Sequence, residues 1–258
     1  YVCGDTASRN LSTRYPSSGA VNRGNGNQGQ DIFVFKINAN LTSIGWMKNY
    51  GGTGDDRAHI MLTNEATGDI YLGGVTGSSS FPTVSPRQSS RGGDTAGLLS
   101  KLKSVNGDVV WASYFSSTSD KDTRILCMEF NQQKNAFYFG GVTDGLPSSN
   151  LINGGYDLTA NGGDDFFVAK MDTTQSLLAS TLIGGANDEV NMMGLNVDDN
   201  DDVYVFGYSN STNFPVTSDA LQALLNNSNS NGSDPNNDKV FFKMPSNLAS
   251  SPLYSTYY

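Results

Sequence analysis

The sequence predicts an all-β fold assembled from a repeated unit of four short antiparallel strands, and three sets of matching segments predict it. The first set is Tyr1-Val2-Cys3-Gly4-Asp5-Thr6, Tyr71-Leu72-Gly73-Gly74-Val75-Thr76, Tyr138-Phe139-Gly140-Gly141-Val142-Thr143 and Tyr204-Val205-Phe206-Gly207-Tyr208-Ser209. Its aligned glycines, at 4, 74, 141 and 207, step by 70, 67 and 66 residues. The second set ends on Lys36, Lys101, Lys170 and Lys243, which step by 65, 69 and 73. The third set is the loop at Tyr50-Gly51-Gly52-Thr53-Gly54-Asp55, Phe115-Ser116-Ser117-Thr118-Ser119-Asp120 and Ile183-Gly184-Gly185-Ala186-Asn187-Asp188. Three landmarks that keep one period mark a structural repeat rather than compositional bias.

Within one period the strands can be taken in order. Asp31 to Ile37 is apolar with a lysine near its end, and Ile44 to Tyr50 follows a polar turn. After the Gly-Gly loop, His59 to Leu62 is the third run; Asn64 to Gly68 is a hairpin turn closed by glycine, and Ile70 to Val75 is the fourth. Four strands of this length recurring every ~65–70 residues describe the blade of a β-propeller. Solenoid β-helices have much shorter periods, and immunoglobulin-type sandwiches need more strands per unit. The expected layout is a partial blade at 1–6, blades at 31–82, 94–147 and 165–215, and a partial blade at 238–258. The two partial pieces together would make most of one blade. Both ends fall inside strand-like patterns, so the chain reads as a segment of a longer one, forming part of a propeller or a small irregular one.

The pattern Asp-x-Phe-Val-x-Lys, Tyr-x-Gly-Gly-x-x-x-Asp, Gly-x-x-Tyr-Val-x-Gly-x-Thr and Phe-Pro resembles the bacterial SBBP β-propeller repeat. Phe81-Pro82 and Phe214-Pro215 supply the last element, with Leu146-Pro147 in the middle copy. The resemblance is sharpest over 165–215. The second unit departs from it, with Ser116-Ser117 in place of Gly-Gly and Gly97-Leu98-Leu99-Ser100 in place of the apolar first strand. The resemblance implies a large surface or secreted bacterial protein of Bacteroidota type, exported in some cases by type 9 secretion and associated with adhesion or gliding.

Composition agrees with an all-β, turn-rich chain. Of 258 residues, 10% are aromatic and only 16% charged, and 29 are glycine. No run reaches the ~18 apolar residues of a membrane helix. The net charge of −9 argues against nucleic acid and against adsorption on anionic lipid, both of which need clustered Lys and Arg. Cys3 and Cys127 form no disulfide framework and have no metal-ligand spacing, and the single His59 argues against a histidine zinc site or a Ser-His-Asp triad.

Asp55, Asp120 and Asp188 follow the loop of the third set at one repeat position. They could form a ring of carboxylates binding Ca²⁺. Recurrence favours a structural role instead, each Asp accepting backbone N–H bonds in its own loop, because a ligand site breaks repeat symmetry and a fold constraint obeys it. Asp198 to Asp202 superficially suggests a calcium loop but lacks the glycine and distal Glu of an EF-hand, and is read as a hairpin. The repeated lysines and the aromatics Trp46, Trp111, Tyr71, Tyr138 and Tyr204 are read as packing. No cofactor is expected.

The stretches that escape the repeat are the Asn-, Gly- and Ser-rich loops 7–30, 147–163 and 221–238. In the last, Asn226, Asn227, Asn229 and Asn231 are the candidate binding residues, since loops on a rigid scaffold carry recognition. Asp5-Thr6-Ala7, Asp94-Thr95-Ala96 and Asp172-Thr173-Thr174 are similar to an O-glycosylation acceptor of exported Bacteroidota proteins. With no triad, phosphate loop or metal cluster in the sequence, the expected function is a non-catalytic extracellular scaffold or interaction module. Its partner would be a protein or a cell surface. The alternatives are a glycan-binding lectin-like propeller and a propeller hydrolase or lyase.

Overall fold

The computed structural model describes residues 1–8, 29–117, 121–133, 135–145, 153–225 and 237–258. They form fifteen strands in four antiparallel sheets. Sheet one holds β1 (Val2–Thr6), β2 (Asp31–Ile37) and β3 (Ile44–Tyr50); sheet two holds β4 (Asp56–Thr63), β5 (Ile70–Thr76), β6 (Ala96–Leu102) and β7 (Val109–Phe115). Sheet three holds β8 (Thr123–Asn131), β9 (Ala136–Thr143), β10 (Asp165–Asp172) and β11 (Leu177–Ile183). Sheet four holds β12 (Glu189–Val197), β13 (Val203–Ser209), β14 (Asp238–Met244) and β15 (Tyr254–Tyr257). In each, strands adjacent in sequence are adjacent in the sheet.

The period stands, but its division into blades is corrected. The sheets begin after the Gly-Gly loop, not before the lysine strand, so 31–82, 94–147 and 165–215 each straddle two sheets. The partial ends do not combine either: β1 pairs with β2, whereas β14 and β15 complete sheet four with β12 and β13. The repeat extends to irregularities. The third strand shifts register just past its lysine at Lys36/Ile37, Lys101/Leu102 and Lys170/Met171, and the first strand bulges at Ala58/Ile60, Ile125/Cys127 and Met192/Gly194.

Consecutive sheets stack face to face, the first strand of each laid on the preceding sheet: β4 on β1 and β2, β8 on β4 to β6, β12 on β8 to β10. Three apolar clusters fill the junctions. Ile32, Val34 and Trp46 meet Ile70, Leu72 and Leu98 between sheets one and two. Tyr71, Trp111 and Phe115 meet Phe137, Phe139 and Phe167 between sheets two and three. Tyr138, Phe166 and Val168 meet Val205, Val240 and Phe242 between sheets three and four. Burying one such side chain contributes roughly 1.5–3 kcal/mol, so these junctions carry most of the apolar stabilisation.

The repeated lysines pack as expected. Lys36, Lys101, Lys170 and Lys243 lie 5.5, 5.3, 5.0 and 4.8 Å from the ring centres of Tyr1, Tyr71, Tyr138 and Tyr204 on the paired strand. Lys101 also pairs with Asp69 at 3.1 Å, Lys170 with Asp201, and Lys243 with Asp202 at 2.9 Å. Burial acts to raise the Asp201 carboxyl, but the hydrogen bond and charge of Lys170 outweigh it and hold Asp201 below the usual carboxylate range. Asp198 serves its own hairpin, accepting the N–H groups of Asn200 and Asp202 at 2.9 Å and the Tyr204 hydroxyl at 3.0 Å.

Candidate functional site

Antiparallel pairing places every connection between sheets, and every long connection between second and third strands, at one end of the sheets. The short hairpins occupy the other. At this loop end the second strand closes on a hydroxyl: Thr6, Thr76, Thr143 and Ser209. Facing it across the sheet are the first residues of the flanking strands. Thr6 opposes Asp31; Thr76 lies between Asp56 and Ala96; Thr143 between Thr123 and Asp165; Ser209 between Glu189 and Asp238.

Stacking the sheets brings these rows together in pairs. At the junction of sheets one and two, Asp31 and Asp56 both crowd Gly51, where any added Cβ would overlap a carboxylate oxygen of each. Between sheets three and four, Asp165 and Glu189 crowd Gly184 in the same way. The first glycine of the repeated pair is therefore required by two carboxylates, and the second by Ser78 or Ser211, which a Cβ on Gly52 or Gly185 would strike. Asp56, Asp165 and Glu189 are fully buried. Asp56 accepts bonds from the Thr76 hydroxyl, from Gly52 N–H at 2.6 Å and from the Ser78 hydroxyl at 2.8 Å. Glu189 accepts from the Ser209 hydroxyl at 2.7 Å and from Gly185 N–H at 3.1 Å.

Burial raises the carboxyls of Asp56, Asp165 and Glu189 above their ordinary range; the charge of Asp31 adds to this at Asp56, those of Asp157 and Asp164 at Asp165, and that of Asp165 at Glu189. Asp165 Oδ2 accepts Asn161 N–H at 2.7 Å, whereas its Oδ1 has no hydrogen-bond partner among the described residues. These acids were missed in the sequence. The signal was present, because Asp56 and Glu189 each open a strand five residues after the first glycine of the pair, but the convergence of the acids depends on the stacking of two sheets.

The expected aspartates act one residue away. Asp55 Oδ1 accepts Gln30 N–H at 2.9 Å, and Asp188 Oδ1 accepts Asp164 N–H at 3.2 Å. These donors lie 25 and 24 residues earlier, just before the third strand of the preceding sheet. The expectation of a bond within each residue's own loop is corrected: the carboxylates staple one sheet to the next. Asp120 lies outside the described residues. In the middle junction Asp122 accepts Thr95 N–H at 2.7 Å. The backbone bonds Asp56 N–H to Gln30, Thr123 N–H to Thr95 and Glu189 N–H to Asp164 place Asp55, Asp122 and Asp188 in one register. The middle loop is two residues longer, which displaced the alignment.

Beside the staple of the last junction lies an open groove of about 440 Å³ lined by Asn187, Asp188, Asn210, Thr212 and Leu225. Its lining offers amides, a hydroxyl and a carboxylate. Asn226, Asn227, Asn229 and Asn231, which directly follow Leu225 in the chain, lie outside the described residues. Among the described residues no group of three or more His, Cys, Asp or Glu side chains is placed to hold a metal ion.

Residues 180–215 match the family model described as SBBP, beta-propeller repeat. The match runs from β11 through the carboxylate-bearing junction to Phe214-Pro215, and so spans the seam between two sheets. No curated protein matches the chain.

Proposed function

We propose that this chain is a non-catalytic, propeller-type scaffold of an extracellular bacterial surface or secreted protein, binding a protein or cell-surface partner through its loop end. One observation carries the reading: the long, variable connections all leave from the same end of a stack whose lysines and aromatic rings are largely engaged in packing. The buried acids at that end are enclosed and hydrogen-bonded, which suits structure better than turnover of a substrate. The extracellular setting, with adhesion or gliding and type 9 export, rests on the repeat resemblance. The function is proposed to need no cofactor, nucleic acid or membrane insertion. A calcium titration followed by thermal melting tests the first point, because an ion that binds the native state raises the midpoint.

The amide- and acid-lined groove favours glycan as the second reading. Both are tested by trimming residues 226–233 to a short Gly-Ser link and measuring attachment to intact bacteria and to immobilised glycans. The cost of closing a connection depends only weakly on its length, so melting should be unchanged while attachment falls. Turnover of a polysaccharide or peptide by the purified protein, abolished by one acidic substitution, would overturn the non-catalytic reading.

A further inference from the structure

We infer that the groove at the junction of sheets three and four is a sugar site, where Asp188 and Asn210 hold a hydroxyl of a neutral glycan between a carboxylate oxygen and an amide nitrogen. The inference rests on the glycan reading above and names its residues and sugar class. The three junctions can be compared position by position. The backbone bonds from Gly77 N–H to Asp55, Asp144 N–H to Asp122 and Asn210 N–H to Asp188 put these residues in one register. Beside the stapling aspartate the first junction has Gly54 and Gly77, the middle one Lys121 and Asp144, and the last one Asn187 and Asn210. The backbone is kept while the side chains change, as recognition on a repeated scaffold requires. The place is open inside the stack as well: the side chains of Lys121 and Asp144, between the inner sheets, are 49% and 34% exposed.

The chemistry changes with the pair. Two glycines bring no side chain, and Lys121 and Asp144 answer each other at 3.8 Å. Asn187 and Asn210 are each anchored at one end only. Asn210 Oδ1 accepts Asp188 N–H at 2.7 Å, which fixes the amide's orientation and leaves Nδ2 with hydrogens to give. Asn187 Nδ2 donates to Asn210 O at 3.2 Å, which leaves its Oδ1 to accept. Asp188 Oδ1 is taken by Asp164 N–H, which leaves Oδ2. A hydroxyl donates to a carboxylate and accepts from an amide at once, whereas an ionised acid only accepts and is repelled by Asp188. Thr212 adds a further hydroxyl, and Leu225 an apolar wall for the C–H face of a sugar ring. Among the described residues no lysine or arginine lines the groove, so an acidic sugar would find no counter-charge there. Its volume of about 440 Å³ is in the range of small-ligand sites.

Binding of the purified chain to immobilised dextran, mannan and galactan, with alginate as the acidic counterpart, tests this. Asn210→Asp keeps the bond to Asp188 N–H, as Asp144 keeps its own to Asp122 N–H at 2.5 Å, but exchanges the amide donor for a second carboxylate. The expected result is that the wild type binds at least one neutral polymer in preference to alginate, and that Asn210→Asp weakens this about tenfold with melting unchanged. Asn213→Asp places the same charge outside the groove, where Oδ1 accepts Ala186 N–H at 2.8 Å, and should bind as the wild type does. If Asn210→Asp melts early, Thr212→Val removes a groove hydroxyl in its place and should weaken binding severalfold. Binding that survives these groove substitutions, or falls equally in Asn213→Asp, overturns the inference and leaves the glycan reading standing. A preference for alginate overturns the neutral class, and binding to none of the polymers overturns both the inference and the glycan reading.

Discussion

The junction between sheets two and three differs from its neighbours at four positions at once. Where the outer junctions have an acid pair around Gly-Gly, the middle one has Ala96 and Thr123 around Ser116-Ser117. The Thr123 hydroxyl lies 2.9 Å from that of Thr143, a neutral contact in place of a carboxylate bond. Aromatic rings pack at this junction, with Phe115 4.8 Å from Phe139 and 5.4 Å from Phe167. The first glycine of the pair is demanded where two carboxylates press on it, and at Ser116, where both acids are absent, a side chain fits. The four positions behave as one unit, and the fold tolerates either version.

The largest effect expected from this comparison is at Gly184. Gly184→Ala should cost about 3 kcal/mol or more, because the new methyl overlaps two buried carboxylates. Placed in a background carrying Asp165→Ala and Glu189→Thr, which imitates the middle junction, the same substitution should cost under about 1 kcal/mol in denaturant unfolding. Equal costs in the two backgrounds would break the explanation of the Gly-Gly motif.

The acid pair should also give this junction a pH dependence that the middle one lacks. Glu189 is raised in the native state by burial and by the charge of Asp165. Above the ordinary carboxyl range near 4, the native state therefore holds more protons than the unfolded chain. Stability from this group is greatest below that range and is lost as pH rises toward the raised native value. Glu189→Gln removes the titration, so the variant should gain on the wild type as pH rises, by on the order of 2 kcal/mol across the window. Melting temperatures of both proteins across mildly acidic to mildly alkaline buffers provide the check. A wild-type stability that increases across this window by the same amount in both proteins would argue against a buried protonated acid.

The smallest effect lies in the middle junction. The Ser116 hydroxyl receives Gln88 Nε2 at 3.1 Å and donates to Ser117 O at 3.0 Å, so Ser116→Gly should cost about 1 kcal/mol. Installing the consensus residue thus destabilises the one junction that has no acids to accommodate. A stabilising result would mean that serine there is merely tolerated.

Much of this was legible in the sequence, and the limits have identifiable causes. Period, strand count and hairpin turns depend on residues a few positions apart: alternation along β13, for example, or the glycine at 68, whose φ of +72° closes the turn after Asn64. The lysine column is visible because the Tyr and Lys facing each other sit at fixed places in the repeat. The repeat position shared by Asp55 and Asp188 falls on Asp122 rather than Asp120, because a loop insertion leaves local spelling intact while moving the backbone register. The candidate asparagines from 226 to 231 stand apart in the sequence, yet the groove beside them is assembled from residues 163 to 225 and has no local signature.

The sequence by itself determined that four-stranded units repeat, which residues form the strands and which faces are apolar, since side-chain alternation and turn chemistry are local properties. Only the tertiary structure decided where one sheet ends and the next begins. A cyclic repeat of four strands can be cut at any strand with the same local pattern, and long-range hydrogen bonding and face-to-face burial select the cut after Gly-Gly. The same stacking brings Asp165 to Glu189, 24 residues on in the chain, and turns two unremarked strand ends into a buried acid pair.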